Sequence, residues 1–240
     1  MSRVLVGTAL AQVERWLLPA ACLLCKEPVP ERENDALVCD LCRLRWRPVP
    51  HPVCERCGQP SFRGLECRLC TAWPSGLSRA RSAVWREDSA RDAVHQLKYE
   101  GWTRVADSMA EAMCDLEPLT GRVCLVPVPL GAGRQRRRGY NQSECIATAL
   151  HGSTGLDLRT DLLLRVRETQ TQTALTPESR HANVMGAFSA RGVEGLHLVL
   201  VDDVFTTGAT LAAAACALTG AGAVRVEAVT FARAVGELQS

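Results

Sequence analysis

The stretch Asp202-Asp203-Val204-Phe205-Thr206-Thr207-Gly208-Ala209-Thr210 sets two adjacent carboxylates a few positions ahead of a hydroxyl-rich loop with one glycine. Paired carboxylates can hold the hydroxyls of a sugar and the water shell of magnesium, a hard ion that keeps oxygen ligands. The loop can ring a phosphate with backbone amides. Gly208 would let the chain come close, while Thr206, Thr207 and Thr210 add hydroxyl donors and Ala209 another amide. A lone Asp-Asp pair is more often a solvated turn. In this order, the residue types suit a phosphorylated ribose.

Two elements must position them. Leu198 to Val201 is an uninterrupted apolar run, as expected of a parallel strand buried on both faces, with the carboxylates facing solvent just beyond its end. From Ala209 an Ala-rich segment reads as a helix ending at Gly220. Its first turn leaves amides unpaired and carries the positive dipole end, which favours an anion. A second charged run, Arg134-Gln-Arg136-Arg137-Arg138, follows Val126-Pro127-Val128-Pro129. It suits a pyrophosphate or a DNA backbone, or the solvated start of a helix.

Eight of the twelve cysteines fall in Cys-x-x-Cys pairs: Cys22/Cys25, Cys39/Cys42, Cys54/Cys57 and Cys67/Cys70. Such a turn grips one face of a tetrahedral ion, and two turns complete a shell of four thiolates, so two structural zinc ions are expected. Disulfides would need an oxidising compartment, and a redox site would use one pair in a βαβ setting. Sequential pairing and a cross-braced pairing (first with third, second with fourth) both satisfy the spacing. The short gaps and the Pro-rich link 48–52 favour the sequential one. So little apolar material lies here that the metal supplies most of the folding energy. Cys114, Cys124, Cys145 and Cys216 stand alone in apolar surroundings and read as core. The head's Arg43, Arg45, Trp46, Arg47, Arg63 and Arg68 are offset by nearby acids, so an ordinary solvated surface outweighs a nucleic-acid patch.

The 240 residues, 47% of them hydrophobic, hold a medium domain plus a small one. A net charge of +2 and 5% aromatic content argue against a strongly basic nucleic-acid binder and against broad stacking platforms. Residues 1–20 read as an amphipathic helix with Leu5, Ala9, Val13, Trp16 and Leu17 on one side, stopped at Pro19. Glu14 and Arg15 interrupt it, so it does not span a membrane. Cleavage near Cys22, as a secretory signal would require, would sacrifice the first cysteine pair; a cytoplasmic protein is expected. Residues 21–75 form the expected double ribbon and 80–240 the body. In the body, strands at Ser82–Arg86, Val123–Pro129, Leu162–Val166, Leu196–Val201 and Val224–Phe231 alternate with helices at Ser89–Tyr99, Arg104–Leu116, Gln142–Leu150 and Ala209–Gly220. That alternation predicts an α/β fold with a parallel sheet whose ligands bind beyond the carboxyl ends of the strands.

The run from Val199 to Thr210 resembles the phosphoribosyl-pyrophosphate (PRPP) motif of type I phosphoribosyltransferases. With the paired cysteines, Leu97-Lys98-Tyr99-x-Gly101, Val126-Pro127-Val128-Pro129, Arg138-Gly139-Tyr140-Asn141-Gln142, Gln172-x-x-Leu175, Arg180-x-x-Asn183 and Ala187-Phe188, nearly the whole chain resembles the ComF competence family. Ala174 departs from the glycine common there. The resemblance implies a type I phosphoribosyltransferase-like parallel sheet behind a double zinc ribbon. It implies that PRPP is bound with magnesium by Asp202, Asp203, the 206–210 loop, Arg134, Arg138 and Lys98, under a flexible loop carrying Gln172, Leu175 and Arg180. It also implies a role in DNA uptake, with single-stranded DNA, a helicase and a recombination mediator as partners. Two readings stay open: a PRPP-dependent transferase, and a non-catalytic accessory that binds DNA and partners through the head and a degenerate PRPP site. A standalone zinc-finger DNA binder would leave two thirds of the chain unexplained.

Overall fold

A computed structural model describes residues 21–29, 36–61, 67, 69–71, 73–168 and 186–235. The expected helix at 1–20, Arg63, Arg68, Gln172, Ala174, Leu175, Arg180 and Asn183 lie outside them. After a short helix α1 (Asp40–Leu44) in the head, the body runs β1 (Arg79–Trp85), α2 (Asp88–Tyr99), α3 (Val105–Met113), β2 (Cys124–Pro127), α4 (Ala132–Arg138), α5 (Gln142–Thr154), β3 (Asp157–Leu158), β4 (Leu163–Arg165), β5 (Phe188–Ala190), β6 (His197–Phe205), α6 (Ala209–Gly220) and β7 (Arg225–Arg233).

Five strands form a parallel sheet in the order β1-β7-β6-β2-β3. Side chains alternate between its faces. Val199, Val201, Val229 and Phe231 join an apolar cluster with α2, α3 and α5, while Leu198, Leu200, Val226 and Ala228 join α6 on the other face. Burial on both sides explains the uninterrupted apolar runs of β6 and β7. α6 is apolar all round because β4 and β5 cover it, so Ala209, Leu211 to Ala215 and Leu218 are all buried.

One expectation needs correcting here. The Leu162–Val166 strand is present as Leu163–Arg165, but it pairs antiparallel with β5 as a separate ribbon and does not join the parallel sheet. The arginine run takes the helical one of its readings: it forms α4, closed by Gly139 in the left-handed region. Cys114 and Cys145 are half-buried and pack against one apolar cluster, Cys124 packs against the other, and Cys216 is half-buried. Among the described residues no helix is long and apolar enough to cross a membrane.

The head covers the sheet's edge. Ala80 N–H donates to the Arg56 carbonyl (2.7 Å) and Trp85 N–H to that of Arg47 (2.8 Å), which satisfies groups that β1 would otherwise leave open. Trp46 is buried edge-on against Phe231, ring centroids 4.8 Å apart. Arg43 pairs with Asp40 and Glu111, and Arg47 with Glu87 at 2.8 Å. These side chains join head to body.

Candidate functional site

The eight paired cysteines form two sulfur clusters, Cys22/Cys25/Cys39/Cys42 and Cys54/Cys57/Cys67/Cys70, with the ligand atoms of each within 4.8 Å of one another. The pairing is therefore sequential, not cross-braced. A Zn–S bond of about 2.3 Å in a tetrahedron sets sulfurs about 3.8 Å apart. The Cys22–Cys42 and Cys25–Cys39 separations are 3.8 Å, Cys54–Cys70 is 3.7 Å and Cys57–Cys67 is 3.4 Å, so each cluster fits zinc.

The two centres are built alike. Cys22 N–H donates to the Glu27 carbonyl and Cys54 N–H to that of Gln59, both at 2.8 Å. Lys26 and Gly58 close the two turns in the left-handed region, their amides donating to the Cys22 and Cys54 carbonyls at 2.9 Å. Gly58 has a second constraint, because a Cβ there would lie 2.7 Å from the Ala80 carbonyl oxygen. Burial raises the Cys22 and Cys54 thiols. Neighbouring amides outweigh it and bring each down to about 7, which favours the thiolates a metal requires.

The second site is a cleft of about 550 Å³ beyond the carboxyl ends of β2 and β6. Asp202, Asp203, Thr206, Gly208, Ala209, Thr210, Arg134, Arg138 and Lys98 all line it. Thr207 sits within the same loop, its hydroxyl accepting from Ala209 N–H at 3.4 Å. Gly208, at φ +75°, caps α6, so the first-turn amides of that helix open toward the cleft. Along α4, Arg134 and Arg138 are one turn apart and face the cleft, whereas Arg136 and Arg137 are exposed away from it.

The acidic pair differs from expectation. β6 runs through it to Phe205, so the carboxylates lie within the strand and do not face solvent beyond its end. Asp203 is buried and ion-paired with Lys98 from the last turn of α2. Burial works against its ionisation, but the Lys98 ammonium prevails and holds the carboxyl below the usual range. Asp202 accepts from Ser143 Oγ (2.7 Å) and from Asp203 N–H (2.9 Å). Burial, and then the Asp203 charge, push it up to about 7.

Residues 138–143 tie the parts together. Tyr140 O–H donates to the Leu97 carbonyl, next to Lys98. Asn141 caps α5 and donates its amide to the Val128 carbonyl at 3.0 Å, fixing the Pro-rich loop. Ser143 and Arg165 complete the site, and sequence reasoning missed both. Ser143 has no distinguishing neighbour in the sequence, and Arg165 sits in a strand expected in the core. Burial, and then Arg134, lower the Arg165 pKa, so an anion entering the cleft would relieve both. Arg134 Nε is buried with no hydrogen-bond partner among the described residues. At the start of α4, Glu168 accepts from Gly133 N–H at 2.8 Å and lies so close to Gly131 that a Cβ there would meet its carboxylate at 2.4 Å.

Two four-cysteine centres joined to a helix-flanked parallel sheet, with a cleft of paired carboxylates, arginines and a Thr/Gly loop, define an α/β protein with a metal-binding head. Residues 13–71 match the double zinc ribbon domain family. DNA utilization protein YhgH of Salmonella typhi is 32% identical over 221 residues, covering 88% of this chain and 95% of that protein. Competence protein ComFC of Bacillus subtilis (strain 168) is 26% identical over 212 residues, covering 83% and 85%. The chain belongs to the ComF family, to which YhgH and ComFC belong. Among solved structures, the glutamine PRPP amidotransferase of B. subtilis complexed with ADP and GMP is 21% identical over 57% of this chain and 26% of that one. Its TM-score is 0.36, an overlay too loose to bear on function.

Proposed function

We propose that the cleft binds PRPP with magnesium and transfers its 5-phosphoribosyl group to an acceptor during the handling of incoming DNA. One observation carries this: the Asp202/Asp203 pair, the Gly208-led start of α6 and three arginines (Arg134, Arg138, Arg165) converge on one cleft. The 5′-phosphate takes the amides of 206–210, and the carboxylates take the ribose hydroxyls. Asp202 and Asp203 would hold magnesium, which would supply positive charge to the pyrophosphate. The bond from ribose C1 to pyrophosphate breaks with its electron pair leaving on pyrophosphate, and the acceptor nucleophile bonds to C1. No covalent enzyme intermediate is needed. Arginines stabilise the departing anion while the carboxylates face the developing cation. Glu168 occupies the Gly133 amide at the start of α4, and in this reading pyrophosphate displaces it; Glu168→Gln is expected to tighten PRPP binding about threefold by calorimetry. Pyrophosphate release from PRPP across a panel of bases and DNA oligomers tests the transfer.

A second reading has its own observation. Tyr99, 69% exposed, lines the cleft, with Arg138 over its ring at 5.7 Å. An exposed aromatic beside arginine suits a stacked base of a single strand. The arginines separate the readings. If they serve pyrophosphate, Arg134→Gln with Arg138→Gln weakens PRPP about 100-fold and ribose 5-phosphate hardly at all, since charged hydrogen bonds are worth about 1.5–3 kcal/mol each. If they track DNA, oligonucleotides of all sequences weaken alike and the log–log salt slope flattens by about 0.7 per lost contact. Equal affinities throughout return both arginines to ordinary surface.

A further inference from the structure

The phosphate loop does not stand on the body alone. We infer that Trp73, on the segment leaving the second four-cysteine centre, is the positioning residue that holds the 205–211 loop in its binding shape. The order of the loop then depends on metal in that centre and not in the first. As a statement about affinity, this rests on the reading of the loop as a phosphate cradle.

Trp73 is buried, and its Nε1–H donates to the Thr207 carbonyl at 3.2 Å. The indole is tilted against Phe205, ring centroids 5.7 Å apart. It lies so close beneath Gly208 that a Cβ there would come within 2.2 Å of Cζ2. The left-handed turn that aims the amides is thus closed over a ring belonging to the head.

Two arginines join this contact to the second centre. Arg56, inside the Cys54–Cys57 turn, donates to the carbonyls of Cys70 (3.1 Å), Trp73 (3.3 Å), Leu77 (3.2 Å) and Pro74. Its guanidinium also lies 5.7 Å from the indole centroid, so the turn that binds metal grips the segment carrying the tryptophan. Arg233, at the end of β7, donates to the Cys57 carbonyl and to Gln59 Oε1 (3.2 Å), and stacks 3.9 Å over Phe205. The first centre joins the apolar cluster on the opposite sheet face, with α2, α3 and α5. Without metal the second ribbon lacks a core of its own. Its loss takes Arg56 and Trp73 from the loop, leaving an unfilled space under Gly208 and the Thr207 carbonyl without its donor.

The test is amide hydrogen exchange of residues 205–211 in the ligand-free full chain, beside zinc content and ribose 5-phosphate affinity. Trp73→Ala is expected to keep two zinc ions, speed exchange in 205–211 at least tenfold and weaken ribose 5-phosphate at least tenfold. Trp73→Phe, which keeps a ring but no N–H, should recover most of that protection. Cys54→Ser with Cys57→Ser should match Trp73→Ala, and Cys22→Ser with Cys25→Ser should leave 205–211 within about twofold of wild type. Unchanged exchange in Trp73→Ala, failure of Trp73→Phe to recover protection, or an equal loss from the first centre would overturn the inference. Should Trp73→Ala lose zinc, the Phe variant decides. Wild type that binds no ribose 5-phosphate would remove the cradle reading, while the exchange comparison still judges Trp73.

Discussion

Protein purified without oxygen is expected to carry two zinc ions per chain, and serine at Cys54, Cys57, Cys67 and Cys70 to remove one of them and unfold the second ribbon. Metal binding in small zinc modules is worth about 10–16 kcal/mol, as much as the whole stability of an ordinary domain. The damage should reach the body. The second ribbon supplies the Arg56 carbonyl that pairs Ala80 on β1, so its loss opens the sheet's edge to aggregation and to proteolysis near residues 73–80. Serine at Cys22, Cys25, Cys39 and Cys42 should likewise remove one zinc and loosen the Trp46–Phe231 contact instead. Elemental analysis with limited proteolysis checks both, and fewer than two zinc ions in the wild-type chain would refute the two-centre structure.

Asp202→Asn combined with Asp203→Asn should abolish magnesium-dependent PRPP binding, a loss of at least about 100-fold for two charged ligands. The stability effects should split. Asp202→Asn alone removes a carboxyl that burial and its neighbour already hold near neutrality, and an amide oxygen can keep both hydrogen bonds. Its melting temperature should stay level or rise. Asp203→Asn alone should cost little, because Asp202 is then freed to ionise beside Lys98. The double variant strands the Lys98 ammonium among buried groups. Discounted for the partial exposure of Lys98, that should cost about 2 kcal/mol, or roughly 4–8 °C. Such non-additivity marks one coupled network. Calorimetry with and without magnesium, beside thermal melts, measures both; unaltered PRPP affinity in the double variant would move the ribose and metal elsewhere.

Much of this was legible because it was local. Cys-x-x-Cys spacing is a turn geometry, so four repeats announce two metal centres without any knowledge of the fold. Ala209 to Gly220 and the apolar run before Asp202 are read from periodicity alone. The acidic pair was misjudged because hydropathy ends a strand at the first carboxylate. Pairing of Asp202 with Thr230 and of Val204 with Ala232 carries β6 four residues past Val201, and Lys98 makes the buried charge tolerable.

By itself the sequence determined the metal-binding residues, the main strands and helices of the parallel sheet other than its short edge strand β3, and the presence of a Thr/Gly loop after a buried strand. Each depends on neighbours a few positions apart. Tertiary structure alone decided which cysteine pairs share an ion, that β4 leaves the parallel sheet for β5, and that Arg134 and Arg138 face the cleft while Arg136 and Arg137 do not. It alone set Trp73 against Thr207, 134 residues away in the chain. Such contacts depend on how two separately stabilised units, one folded by metal and one by a buried sheet, meet along an edge strand. Nothing in the local pattern of either unit encodes that meeting.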